Sequence, residues 1–354
     1  MTGGYIDASV YGIVGNGSLD GTTITITGGT IECDGNAIYH PQEGDITING
    51  GEISGLTGLW YSGTGKITIS GGTIKSIDTT DRTDPYKPAD QNDGTSYDGA
   101  ALSIVSRGDD YQDDGKSIVV EITGGTLESF ANQAIRDYRF AKVDGTWQTN
   151  ASSGVEKNYL SGLEISGDAK VIAGEGKDVF DADPMSVQNE TYAISGGSFS
   201  SDVSDYCVDG FIPTVDEEGN FVVDVDEGVL DIDIEEILGF STGEAGQTYK
   251  IEAVSDLDVT WKSDTPEVAT VDQYGNVTFV SEGDARIEAT VTLGNGQTMS
   301  KYVSVTVMEV SSTEGVTFEA MTDADLEELS GIIANPDMIP DDWSAAGESG
   351  ALFS

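Results

Sequence analysis

The chain has 354 residues, and its 63 acidic against 16 basic side chains give a formal net charge of −47. That charge excludes nucleic acid as a partner, because nothing here neutralises phosphates, and it equally disfavours anionic membrane surfaces. The length suffices for two domains, and no run of 18 apolar residues offers a membrane span.

The first element is an octet that keeps returning. Ile24-Thr-Ile-Thr-Gly-Gly-Thr-Ile31 recurs as ITINGGEI from Ile46, ITISGGTI from Ile67, VEITGGTL from Val120 and YAISGGSF from Tyr192, with a weaker copy, LEISGDAKV, from Leu163. The glycine pairs at Gly28, Gly50 and Gly71 lie 22 and 21 residues apart, a period that marks a repeat architecture. Apolar residues alternate with Thr, Ser or Glu, which is strand periodicity, and each Gly-Gly pair permits a sharp bend. A leucine lattice and a helical period are both missing. The expected fold is therefore a right-handed parallel β-helix whose coils stack at about 4.8 Å and bury inward Ile and Val against their neighbours.

Between the octets, Gly35–Tyr39, Thr57–Trp60, Asp98–Ile104 and Asn132–Arg136 read as the second strand of each coil. Trp60 is expected in the slot that Ile38 holds one repeat earlier, and His40, the only histidine, at a coil corner. The spacing widens to 53 and then 72 residues between Gly71, Gly124 and Gly196, which places insertions at Asp78–Tyr97, Gly108–Gly115 and Arg139–Gly154. Such insertions project from one side of a solenoid and form contact surfaces. The pattern "GNAIY…ITISGGTI", closing with "ISGGSFSSDVSDYCVDGF" at Ile194 to Phe211, resembles β-helix repeats of surface proteins from gut Firmicutes and their phages. The resemblance covers residues 1–223.

Residues 224–245 form an acidic stretch that reads as a linker or as the first strand of the second domain. From 246 to 310, short, evenly spaced strands separated by Gly, Asp and Asn turns indicate a β-sandwich. "VTWKSDTPEVATVDQYGNVTFVSEGDARIEATV" at Val259 to Val291 is similar to the group 2 bacterial immunoglobulin-like domain. The resemblance makes Trp261 a core residue and implies display rather than chemistry. The tail, 311–354, holds one helix, with Thr322 as N-cap, Leu326, Leu329 and Ile333 on one face, and Asn335-Pro336 as the stop. Together with Trp343 and Phe353 these are candidates for docking on a neighbouring subunit.

The candidate sites are few. Arg136, Tyr138 and Arg139, with Asp137 and Lys142, are candidates for binding an acidic sugar from a loop, and Trp147 is a candidate glycan contact within an insertion. The competing expectation for the arginine cluster is a surface salt-bridge group supporting the insertion. Asp181 and Asp183 form a carboxylate pair in a chain where such pairs arise by chance. Asp109, Asp110, Asp113 and Asp114 are candidate Ca²⁺ ligands, although they lack the fixed ligand order of a known loop; no other cofactor is expected. Cys33 and Cys207 lie too many coils apart to be bridged, so two free thiols are expected. No nucleophile triad and no phosphate loop is present.

These readings lead to a non-enzymatic display or attachment protein whose partners are other structural subunits and host glycans, with a homotrimer compatible but not required. One setting is the exterior of a bacteriophage virion, as a head fibre, decoration or tail-associated protein. The absence of a recognisable secretion signal or wall anchor favours it. The other is a segment of a Firmicutes cell-surface adhesin, favoured by an opening that reads as half a repeat. A polysaccharide lyase or depolymerase is the alternative of a different class, since parallel β-helices also carry such enzymes and fold alone does not decide function.

Overall fold

A computed structural model of the chain describes residues 1–15, 21–82, 97–107, 112, 115–143, 146–149, 157–241 and 247–309; of 140–143, 146–149, 241 and 309 it describes the backbone only. Strand is the dominant element among the described residues, and helix is confined to two short turns. The first coil holds β1 (Thr2–Ala8) and β2 (Tyr11–Val14), the second β3 (Ile24–Cys33) and β4 (Asn36–His40), the third β5 (Ile46–Gly55) and β6 (Thr57–Tyr61). The fourth holds β7 (Gly65–Ser76) and β8 (Leu102–Ser106), and the fifth β9 (Ile118–Ser129) and β10 (Ile135–Val143), which turns back into β11 (Thr146–Thr149). Next come β12 (Leu160–Ile165), β13 (Lys170–Ile172), β14 (Phe180–Asp181), the single-turn helix α1 (Pro184–Gln188), β15 (Tyr192–Ile194), β16 (Ser198–Phe199) and the hairpin β17 (Phe211–Val215) and β18 (Phe221–Val225).

The octets stack in register as parallel strands. One column runs Ile26, Ile48, Ile69, Ile122, Ile165 and Ile194, and another runs Ile6, Ile31, Ile53, Ile74, Leu127, Val171 and Phe199. The second sheet adds Ile13, Ile38, Leu59, Leu102, Ile135 and Phe180. From the second coil onward these side chains are buried. Every coil thus repeats the same contact, and an apolar column forms only when coils stack.

The glycine pairs work as the pattern requires. Gly72 has φ +82°, and a Cβ there would lie 2.7 Å from the backbone carbon of Gly50. Glycine meets both demands at once, a left-handed backbone and a close approach of the coil beneath. The parallel ladder ends at β18, which pairs antiparallel with both β16 and β17. The terminal hairpin therefore runs to Val225, two residues past the expected boundary.

Trp60 and His40 fall elsewhere than the spacing suggests. Leu59, not Trp60, pairs with Ile38, and Trp60 pairs with Tyr39. Trp60 is buried, but on the opposite face of the second sheet, in a cluster with Tyr39, Val105 and Tyr138. His40 is the last residue of β4 rather than a corner residue; it is fully buried and stacks on Tyr61, with ring centroids 5.1 Å apart. Burial holds its imidazole below the usual histidine range.

The acidic stretch is not a bare linker. It contains β19 (Asp231–Ile232) and β20 (Glu236–Ser241). After it come β21 (Thr248–Lys250), β22 (Ala253–Val254), β23 (Thr260–Ser263), β24 (Ala269–Val271), β25 (Asn276–Phe279), β26 (Gly283–Thr292) and β27 (Thr298–Glu309). They form one sheet in the order β20-β27-β26-β23 and a second in the order β21-β25-β24, with β19 and β22 as a separate ribbon. The apolar layer includes Ile237, Ile251, Val277, Phe279, Ile287, Val303 and Val305. Trp261 is half-buried and packs against both this layer and the core of the solenoid. That solenoid core runs on without a break into Ala289, Val291 and Leu293.

Candidate functional site

The arginine cluster lies on β10, and its register sets which way each side chain points. Ile135 pairs with Leu102, so Ile135 and Asp137 share the inward face while Arg136 and Tyr138 point the other way. The expectation of an elongated, sugar-binding loop is corrected here, because Arg136, Asp137, Tyr138 and Arg139 belong to a strand and are all buried. The surface salt-bridge reading is corrected in the same way: the ion pairs exist, but they are interior. Trp147 lies on β11 opposite Lys142, and its side chain is outside the described residues. So are the candidate Ca²⁺ ligands Asp109, Asp110, Asp113 and Asp114, and the candidate docking residues Leu326, Leu329, Ile333, Trp343 and Phe353.

Each arginine takes a carboxylate from the following coil. Arg139 donates from Nε and Nη2 to the two carboxylate oxygens of Asp183, at 2.5 and 3.0 Å. Asp183 also caps α1, accepting from the Met185 backbone N–H at 2.9 Å. Arg136 has no exposed surface; its Nη1 lies 3.6 Å from Asp181, and its Nη2 donates to the Arg82 carbonyl and to Gln133. The bidentate pair is the geometry that best compensates a buried guanidinium.

Asp137 has no cationic partner at hydrogen-bond distance among the described residues. Its carboxyl accepts from the Ser186 hydroxyl and, at 3.5 Å, from the Tyr192 hydroxyl. Burial, with Asp183 nearby, pushes its pKa up to about 7. Burial also raises Tyr192 well above the phenol range. On the opposite face, Tyr138 donates to Asp98 at 3.1 Å, and Asp98 accepts from Thr57 at 3.1 Å.

Thr57 is on β6, Asp98 precedes β8, and Ser186 and Tyr192 belong to α1 and β15. The network therefore ties four successive levels of the stack across segments 40 to 55 residues apart in the chain. Asp181 and Asp183 are engaged by guanidinium groups, whereas Asp98 and Asp137 are held by hydroxyl donors. The Ser186, Tyr192 and Asp98 partners escaped the sequence reading because nothing local marks them; only the register brings them together. Cys33 and Cys207 are free thiols, the first buried and the second half-buried.

Among the described residues no group of three or more His, Cys, Asp or Glu side chains is placed to hold a metal ion, and no helix is long and apolar enough to cross a membrane. Residues 241–302 match the bacterial Ig-like domain (group 2). Among solved structures, an intimin mutant of EHEC O157:H7 is similar at 28% identity over 22% of this chain, with a TM-score of 0.17. That match spans 45% of the intimin chain. No curated protein matches the chain.

Proposed function

We propose that the protein is a non-enzymatic structural protein of an exterior surface, displaying loops on a stiff solenoid and joined to its assembly through the Ig-like module. The setting we propose is a bacteriophage virion, as a head fibre, decoration or tail-associated subunit; a segment of a bacterial cell-surface adhesin is the alternative. The observation that carries the reading is the single apolar core running from the stacked octets into β26 of the module that matches a bacterial Ig-like domain. Such a joint suits a spacer that holds its display surface at a fixed distance. The pairing of the buried Arg136, Arg139 and Asp183, with the half-buried Asp181, supports the same reading, because a lyase or hydrolase requires its base and carboxylates to face the polymer.

The test is incubation of the intact chain with acidic and neutral polysaccharides, scoring new reducing ends and unsaturated uronates. No turnover is expected, and Arg139→Ala is expected to cost about 3–5 kcal/mol of stability, because it strands a buried carboxylate. Polymer cleavage that Arg139→Ala abolishes without loss of stability overturns the proposal.

A further inference from the structure

A cleft of about 480 Å³ opens where the last coil meets the Ig-like module. That volume lies within the range of small-molecule sites (roughly 300–1,000 Å³), which favour junctions between domains. One wall is the segment around α1 and β15, with Glu190, Thr191 and Tyr192; another is the turn at 205–209; Gly294 of the Ig-like module closes it. The walls are held in place, because the Gly294 N–H donates to the Asp209 carbonyl at 2.8 Å.

The lining has two characters. Tyr206 is half-buried, and its ring packs 5.0 Å from both Phe180 and Tyr192, so it is a fixed aromatic platform. Around it Glu190, Asp205 and Asp209 are exposed. They have no ion-pair partner among the described residues, and no basic side chain lines the cleft. Thr191 adds a hydroxyl. A ligand that satisfies both characters carries apolar C–H faces for the ring and many hydroxyl donors for the carboxylates. An acidic ligand is repelled by the rim and by the net charge of −47. A lone ammonium suits the carboxylates but leaves the tyrosine, alanine and valine walls unfilled.

We propose that this junction cleft binds a neutral saccharide, with Tyr206 stacking on a sugar ring and Glu190, Asp205 and Asp209 accepting from its hydroxyls. The proposal rests on the attachment reading above and supplies its ligand class. It also moves the glycan contact off β10 and β11 to the segment around α1 and β15 and the turn at 205–209.

The experiment titrates the intact chain with a chitotriose, a mannotriose and a galactose disaccharide as neutral probes, and with trigalacturonate and trilysine as charged ones, by ligand-observed NMR. Cys207 lines the cleft whereas Cys33 is buried, so protection of Cys207 from iodoacetamide reports occupancy of this site. The expected result is binding of a neutral probe with Kd about 1 mM or tighter, slower Cys207 alkylation, and at least about tenfold weaker binding in Glu190→Gln and Asp205→Asn. Both residues are exposed, so the melting temperature of these variants should be unchanged. Binding of trilysine alone, binding of no probe, or neutral binding indifferent to both substitutions overturns the proposal. A failure here leaves the attachment reading standing if the chain is still found on an exterior surface.

Discussion

Asp137 ties stability to pH near neutrality. Its carboxyl is fully buried and has a pKa of about 7 in the folded chain, against about 3.9 when unfolded. The folded state therefore binds more protons between these values, and stability falls as pH rises from about 4 to about 7, then levels. Asp137→Asn keeps an acceptor for Ser186 and removes the titration. The expected outcome is that wild type loses stability between pH 5 and pH 8, by on the order of a few kcal/mol more than the variant does. Urea unfolding at the two pH values measures this; equal losses in both proteins contradict it. The general repulsion within an acidic chain acts on both proteins, so the difference isolates Asp137. The composition of this cluster was legible, since Arg136 to Arg139 stand out in a chain poor in basic residues. Its direction was not, because a strand's facing depends on register, and Asp183, the partner of Arg139, lies 44 residues away.

At the scale of the element, the octet was readable because two independent signals coincide in it: an apolar period of two, and a glycine pair at fixed offset. The structure adds the reason both glycines persist. Gly72 combines φ +82° with backbone atoms under 3 Å from a Cβ, whereas Gly219, in the turn between β17 and β18, has φ +89° and open space around it. Gly219→Ala should cost only the left-handed strain, about 1–2 kcal/mol. Gly72→Ala adds a clash with the coil beneath and should cost about 2–4 kcal/mol. Thermal unfolding of the two variants compares them directly, and equal losses contradict the stacking role given to Gly72. The Trp60 register was misplaced by one residue because Leu59 and Trp60 are both apolar, and a short run of that kind does not reveal which residue faces in. What was not legible in the closing hairpin is its direction, because only pairing shows β17 and β18 antiparallel.

For the whole molecule, the all-β class and the Ig-like module were legible, but the joint between the stacked octets and that module was not. It depends on Leu293 lying over Gly210, where an added Cβ would meet the leucine at 2.6 Å, a contact between positions 83 residues apart. Leu293→Ser should remove about 2–4 kcal/mol and split unfolding into separate solenoid and Ig-like transitions in calorimetry. A single undisturbed transition in that variant contradicts a shared core. A joint of this kind lets the Ig-like module fix the direction of the solenoid, which is what a display protein requires.

The most direct measurement of that role is electron microscopy of purified particles and of intact bacterial cells, with gold-labelled antibody to the chain. The proposed function requires regular labelling on an exterior surface, and the virion setting requires it on the particle. A chain found on neither, and recovered only free in solution with polymer-cleaving activity, contradicts it.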